Sequence, residues 1–361
     1  MIKNNLYDKS LLVVIPDGYV EGKMWVTKPT DTFFTFTRNT PNVPNTANVS
    51  YVGKDGYLKK VVSDVNVPRL DYSLGVPAFL IEDSSTNLVP YSNIEAAGYS
   101  LNGATITENA TNSPEGTQNA SLITGSNSGY VSSTSITVSL GDLYGKSLYI
   151  KNINSSESKI EFENVGYSFN IKWSGETLST ITEHNNPTKQ TVKYDYLKDG
   201  WYRVYVTELA TSTSSVVKIY PSVTSSSGTI GCYGVQLEPG ELSSLIHTSG
   251  ASVTRPAETA SYSIDLPATG TICCFTGGTS AGVMSILGES FTPSAEKNKI
   301  AIAYSATNLN ISLNGRIVAK KEGTYDVTGL DELSLGQSNL YKVFYFINEF
   351  LMDSELNDIT D

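Results

Sequence analysis

Histidine and cysteine are nearly absent from this chain, and charge is thin. Of 361 residues, two are histidine, three are cysteine and 17% are charged. The cysteines are Cys232, Cys273 and Cys274. An odd count with two adjacent members excludes a disulfide framework. Without a Cys/His cluster there is no zinc site either. Buried free thiols and assembly in a reducing cytoplasm are expected. His184 sits in Glu183-His184-Asn185-Asn186 and His247 in Leu245-Ile246-His247-Thr248. Neither context has a nucleophile elbow or metal-ligand spacing, so triad and metalloenzyme chemistry are not indicated. Both read as histidines of surface turns. Long hydrophobic runs are missing too. The N-terminal run Leu11 to Ile15 stops at Pro16. It is too short for a signal-peptide core or a membrane span, so synthesis without export by the usual route is expected. Basic residues are outnumbered, 25 to 36, for a net charge of −11. That balance disfavours phosphate backbones and anionic membranes as partners.

What remains is Ser, Thr, Asn, Gly and tyrosine, with 22 tyrosines in all. Apolar alternation persists along the chain, so it reads as folded, with many short strands and solvated faces. Pro16, Pro29, Pro41, Pro44, Pro68 and Pro77 exclude long helices from the first ninety residues. There, Thr32–Thr37 and Tyr57–Ser63 look extended, and Gly53-Lys54-Asp55-Gly56 reads as a hairpin turn. Further on, alternating segments recur, among them Leu148–Ile153, Ser158–Phe162, Tyr167–Trp173, Trp201–Glu208 and Val216–Tyr220. Alternation places Phe169, Ile171 and Trp173 on one face. Towards the C-terminus, Asn314-Gly315 between alternating strands predicts a type I′ hairpin. Lys299–Tyr304 and Leu340–Glu349 supply strands, and Asp353–Ile359 could form a helical turn capped by Asp353 or Ser354. The fold class is all-β: an irregular N-terminal docking segment over 1–87, a jelly-roll β-sandwich over 88–258 and a smaller lectin-like β-sandwich over 259–361.

Five elements come in order near the N-terminus: Phe34-Thr35-Phe36-Thr37-Arg38-Asn39-Thr40, Asp55-Gly56-Tyr57-Leu58, Asn66-Val67-Pro68-Arg69-Leu70-Asp71-Tyr72, Phe79-Leu80-Ile81-Glu82 and Thr86-Asn87-Leu88-Val89-Pro90-Tyr91-Ser92. The series resembles the N-terminal region of bacteriophage tail-fibre and head-fibre (minor structural) proteins. Ser113-Pro114-Glu115-Gly116-Thr117-Gln118-Asn119-Ala120, Gly200-Trp201-Tyr202-Arg203-Val204, Tyr233-Gly234-Val235-Gln236-Leu237-Glu238-Pro239-Gly240 and Ser249-Gly250-Ala251-Ser252-Val253-Thr254-Arg255-Pro256-Ala257 resemble the carbohydrate-binding-like jelly rolls that follow it. His247 stands where that family often has proline. Leu313-Asn314-Gly315, Leu335-Gly336-Gln337 and Phe350-Leu351-Met352-Asp353-Ser354-Glu355-Leu356 look like a concanavalin- or laminin-G-like module. Similar arrangements occur in phages of gut Bacteroidales, including the crAss-like group.

The resemblance implies a virion-surface fibre or spike, synthesised in the host cytoplasm and released by lysis. It implies self-association as a homotrimer or homodimer, contact with other virion proteins through the N-terminal segment, and weak adhesion to glycans. Lectin-type sites stack an aromatic face on a sugar ring and surround it with polar groups. Trp173 is the first candidate platform, with core packing as the alternative; Tyr130, Tyr167 and Tyr194 follow. Trp201 and Tyr202 read as core, and Trp25 as packing in the docking segment. Sandwiches of this type often carry structural calcium, and Asp195, Asp199, Glu238 and Glu115 are the candidate ligands. No other cofactor is expected. A glycosidase needs two carboxylates across a cleft. Glu161 and Glu163 share a strand face, but read as a solvated one, so the chain is expected not to be an enzyme. The rival readings are a polysaccharide depolymerase and a capsid decoration without glycan affinity.

Overall fold

The computed structural model describes residues 10–16, 19–20, 23–25, 33–38, 49–61, 66–163, 167–184, 191–263, 266–277, 284–287, 289–291, 298–328, 332–335 and 339–361. Their regular structure is nearly all strand, in curled antiparallel sheets, with one helix, Asp353–Thr360. Among them no helix is long and apolar enough to cross a membrane. The chain divides into two compact units, and the division differs from the three-part reading. One unit takes Met1–Ala47, Ser63–Ser84 and Pro256–Asp361; the other takes Asn48–Val62 and Ser85–Arg255. The first ninety residues are thereby shared between the two units. Their described strands complete sheets of both units, because short strands gain a core only by pairing with distant ones.

In the first unit, Ser10–Val14 pairs with Asn339–Ile347, Ala78–Ile81 pairs with the same strand, and Phe33–Arg38 pairs with Glu258–Ser263. The central strand Gly270–Gly277 is buried on both faces. Ile272 and Cys274 enter a core with Leu12, Phe36, Phe79, Ile302 and Phe346. Cys273 points the other way, with Ala301 and Ala303, towards Leu356 and Ile359 of the helix. Small residues line the face where the helix docks, which lets it approach closely. The helix begins one residue earlier than its predicted caps. Met352 is the N-cap residue, and its N–H donates to the Glu355 carboxylate at 2.9 Å. Asn314 and Gly315 have φ of 49° and 78°, and the strands Asn308–Leu313 and Arg316–Glu322 pair around them as predicted.

The main sheet of the second unit is continuous and curls over its own core. Its order runs Thr177–His184, Tyr167–Ser174, Glu157–Glu163, Ser214–Tyr220, Gln118–Ser133, Gly228–Pro239, Leu143–Asn152, Trp201–Leu209, Lys193–Tyr196. The long strand Gln118–Ser133 serves both halves: Ser121–Gly125 pair with Gly228–Cys232, and Val131–Ser132 pair with Lys218–Ile219. The halves close on Ile160, Phe162, Phe169, Ile171 and Val217 from one side and Leu148, Ile150, Val204, Val206 and Val235 from the other. This is the jelly-roll-like sandwich the alternation indicated. The hairpin Val49–Val52 and Leu58–Val61 turns through Gly53 to Gly56 as predicted, with Gly53 N–H on Tyr57 O at 2.8 Å.

Candidate functional site

The three predicted aromatic residues whose side chains are described, Trp173, Tyr130 and Tyr194, do not form one site. Trp173 is only 9% exposed. Its indole N–H donates to Ser158 Oγ at 2.9 Å, and its ring packs 6.1 Å from that of Tyr202. It is a core residue and offers no sugar platform, because alternation with Phe169 and Ile171 turns it inward. Trp201 and Tyr202 are core, as expected. The side chains of Tyr167, Trp25 and Glu163 lie outside the described residues. Tyr194 is exposed on the strand at the opposite end of the sheet.

Tyr130 is the one that acquires company. Its neighbour Val131 is buried and pairs with Ile219, so Tyr130 and Tyr220 project together from the outer face. Their ring centroids are 5.0 Å apart, tilted by 43°. Registers across the sheet continue the row. Asn102 faces Tyr130, Tyr220 faces Lys159, Lys159 faces Asn170 and Asn170 faces Thr182. The adjacent row runs Ser132, Lys218, Glu161, Ser168, His184. Two ladders of side chains thus cross this half of the sheet, with strands spaced about 4.8 Å apart.

The groups on these rows hold one another. Tyr220 O–H donates to Glu161 Oε2 at 3.0 Å, and Asn102 Nδ2 donates to Tyr130 O–H at 3.2 Å. The Lys159 ammonium lies 3.9 Å from the Tyr220 centroid and 3.2 Å from Glu161 Oε2. Lys218 lies 5.5 Å from the Tyr130 centroid and 3.8 Å from Glu161 Oε1. Asn170 Nδ2 donates to Glu157 at 2.8 Å. Every side chain here is half-buried or exposed, apart from Ser168 at the edge of burial. The face therefore presents two aromatic rings inside a frame of amide, hydroxyl, ammonium and carboxylate groups.

The four candidate calcium ligands do not converge. Glu238 is buried and saturated by Ser85 Oγ at 2.5 Å, Gln236 Nε2 at 2.8 Å, Ser243 Oγ at 2.7 Å and the Ser243 N–H. Glu115 takes Lys60 at 2.8 Å and Asn119 Nδ2 at 3.1 Å. Asp199 accepts from Tyr57 O–H at 2.7 Å, and Asp195 holds Tyr205. Among the described residues no group of three or more His, Cys, Asp or Glu side chains is placed to hold a metal. Of the four, Glu238 already has both oxygens taken by protein donors.

One histidine was misjudged. His184 is exposed at the end of its strand, but His247 is buried. Its Nε2 lies 3.2 Å from Glu115 Oε1 and its ring 5.9 Å from Tyr233. Burial, with the Lys60 ammonium nearby, holds its pKa down to about 3, so it is neutral. Burial raises the Glu115 pKa, but the hydrogen bond and charge of Lys60 outweigh that and keep it below the usual range. The group fastens the hairpin that carries Lys60 to the sandwich. The three cysteines are free and buried as predicted, and burial lifts each thiol well above its ordinary value.

The first unit holds a cluster that sequence reasoning missed. Glu258 accepts from Arg38 Nη2 at 2.7 Å and Nε at 3.0 Å, from Arg69 Nε at 3.0 Å, from Arg69 Nη2, and from the Glu82 N–H at 3.0 Å. Arg69 also meets Glu82 at 2.7 Å. Burial opposes the Arg69 charge, yet the two carboxylates more than offset it and raise its pKa. Two cations and two anions, all buried, tie four distant stretches of chain together. No family model matches the chain, and no curated protein matches it in sequence.

Proposed function

We propose that this chain is a non-catalytic structural protein of a bacteriophage particle, a short fibre or spike on head or tail, whose jelly-roll unit binds glycans. The observation that carries the glycan reading is the Tyr130–Tyr220 pair in its polar frame on an outer sheet face. Sugar rings have an apolar face that stacks on aromatics and a hydroxyl rim that needs amide and charged partners. The ladder rows offer both over several strands without a deep pocket, which suits a shallow, weak site. Many copies on one particle, assembled as a homo-oligomer and held by other virion proteins, would convert weak contacts into firm attachment. The virion reading rests on the five ordered N-terminal elements and the jelly-roll motifs that follow them.

The test is a glycan array probed with the multivalent protein, followed by titration of the hits. Tyr130→Ala and Tyr220→Ala should each weaken binding roughly fivefold, since one stacked ring contributes on the order of 1 kcal/mol. Purified host capsule should release no new reducing ends on long incubation. Absence of any hit at high valency would leave capsid decoration in its place. Undiminished binding by both variants would move the site off this face.

A further inference from the structure

The strand Lys193–Tyr196 ends its sheet, and all four of its residues are exposed. Tyr194 and Tyr196 are 46% and 60% exposed, leaning edge-on against the buried Tyr202 at 6.1 and 5.3 Å. Large aromatics on a free strand edge are an invitation to pairing. Other edges carry protection. Tyr99–Asn112 is broken by register shifts, with positive φ at Gly103 and Asn109. Arg316–Glu322 carries Arg316, Lys320 and Lys321, which repel a second copy. The Lys193–Tyr196 edge has no register shift, and its one lysine is balanced by Asp195 on the same face.

Its backbone is ready to pair. Leu197 N–H bonds to Trp201 O at 2.9 Å, in register with Tyr196 facing Tyr202. Alternation then points the backbone groups of Lys193 and Asp195 inwards and those of Tyr194 and Tyr196 to the free edge. Among the described residues no strand pairs with that edge.

We infer that this edge pairs with the same strand of a second copy, antiparallel about a two-fold axis through Tyr194. The register follows from side-chain chemistry. Directly opposed residues share a face, so Tyr194 must oppose Tyr194 or Tyr196 of the other copy. The second arrangement sets Asp195 against Asp195. The first sets Lys193 against Asp195 twice, once on each side of the axis, and stacks Tyr194 on Tyr194. Asp195 already accepts from Tyr205, and a carboxylate has a second oxygen free for the lysine. The strand is short, so the contact is concentration-dependent. A self-complementary patch of this kind makes a closed dimer. The inference stands independently of glycan binding.

Sedimentation of the full chain over a concentration series should show a monomer–dimer equilibrium. Lys193→Glu and Asp195→Lys should each raise the dissociation constant about tenfold, by turning two attractive cross-strand pairs into repulsive ones. Combining Lys193→Asp with Asp195→Lys should restore pairing. Tyr194→Cys should give a disulfide-linked dimer on mild oxidation, since hydrogen-bonded partners have Cα atoms about 5.5 Å apart. Tyr196→Cys should not, because its two copies would lie roughly 13 Å apart along the strands. The native cysteines are buried and leave the readout clean. A monomer at every concentration, a trimer, or a swapped double variant that fails to recover would overturn the inference.

Discussion

Replacing Glu258 by glutamine should be among the most damaging single-atom changes in this protein. The shape is kept, but one buried negative charge disappears. Arg38 and Arg69 then lose the carboxylate that accepts from both of them, in a site where Arg38, Arg69 and Glu258 are each 1% exposed or less. The new amide also turns one acceptor into a donor, against guanidinium groups that can only donate. Breaking a buried ion network by removing one member costs about 3–5 kcal/mol. A unit of roughly 150–250 residues loses about 2–4 °C per kcal/mol, so its Tm should fall by roughly 6–20 °C. Differential scanning calorimetry of the full chain measures this directly. A companion variant sharpens the test. Pairing Arg69→Met with Glu258→Leu removes one charge of each sign and should recover a large part of the loss, because apolar replacements of buried pairs are often tolerated. A fall of less than 2 °C for Glu258→Gln would refute the reasoning, since it would mean that water still solvates these groups.

Two further outcomes follow from the second unit. His247 has a folded pKa of about 3, below its unfolded value, so it contributes stability above about pH 6.5 that drains away as pH falls towards 3. Glu115, also depressed, adds to the loss at the acidic end. Thermal unfolding followed by circular dichroism should show stability rising with pH over that window by about 1.4 kcal/mol per unit at most, and His247→Gln should flatten the slope. Trp173→Ala should cost about 3–5 kcal/mol through the cavity it leaves, and any protein that stays folded should bind glycans as wild type does. Selective loss of binding without loss of stability would return Trp173 to the list of platform residues.

Local chemistry was legible in the sequence. Asn314-Gly315 accepts positive φ at both positions, so its hairpin needed no distant information. Phe169, Ile171 and Trp173 share a face by strand parity alone, and all three are buried. Parity could also have set Lys218 and Tyr220 outward. What it could not supply was register between strands far apart in the chain. Tyr130 meets Tyr220 only because Val131 pairs with Ile219. The same limit hid the fate of His247. Its flanking residues look like a polar turn, and it is buried by contact with Glu115, itself bound to Lys60 of a hairpin nearly two hundred positions earlier. The pairing of the N-terminal strands was hidden for this reason as well: proline-rich, broken strands look unanchored until their partners at 258–263 and 339–347 are known.

The motifs that stood out most in the sequence turn out to be fasteners. Arg38, Arg69 and Glu82 come from three of the five ordered elements, and Glu258 follows directly on the last jelly-roll motif; together they form one buried cluster. Asn87, from a fourth element, bonds to Val235 O and Ile246 O through its amide and receives the Leu237 and Val89 N–H groups. Glu238, in the strand beside it, gathers Ser85, Gln236 and Ser243. Each anchor closes a long loop of chain and satisfies buried polar groups that would otherwise be costly. Such residues tolerate little change whatever the protein binds. The Tyr130–Tyr220 face is built the opposite way, from partly exposed side chains whose substitution disturbs no core. A motif series of this kind therefore reports how the chain is closed. Side chains on the open ladder rows can change without disturbing those anchors, so chains sharing the fasteners should share the fold whatever those rows carry.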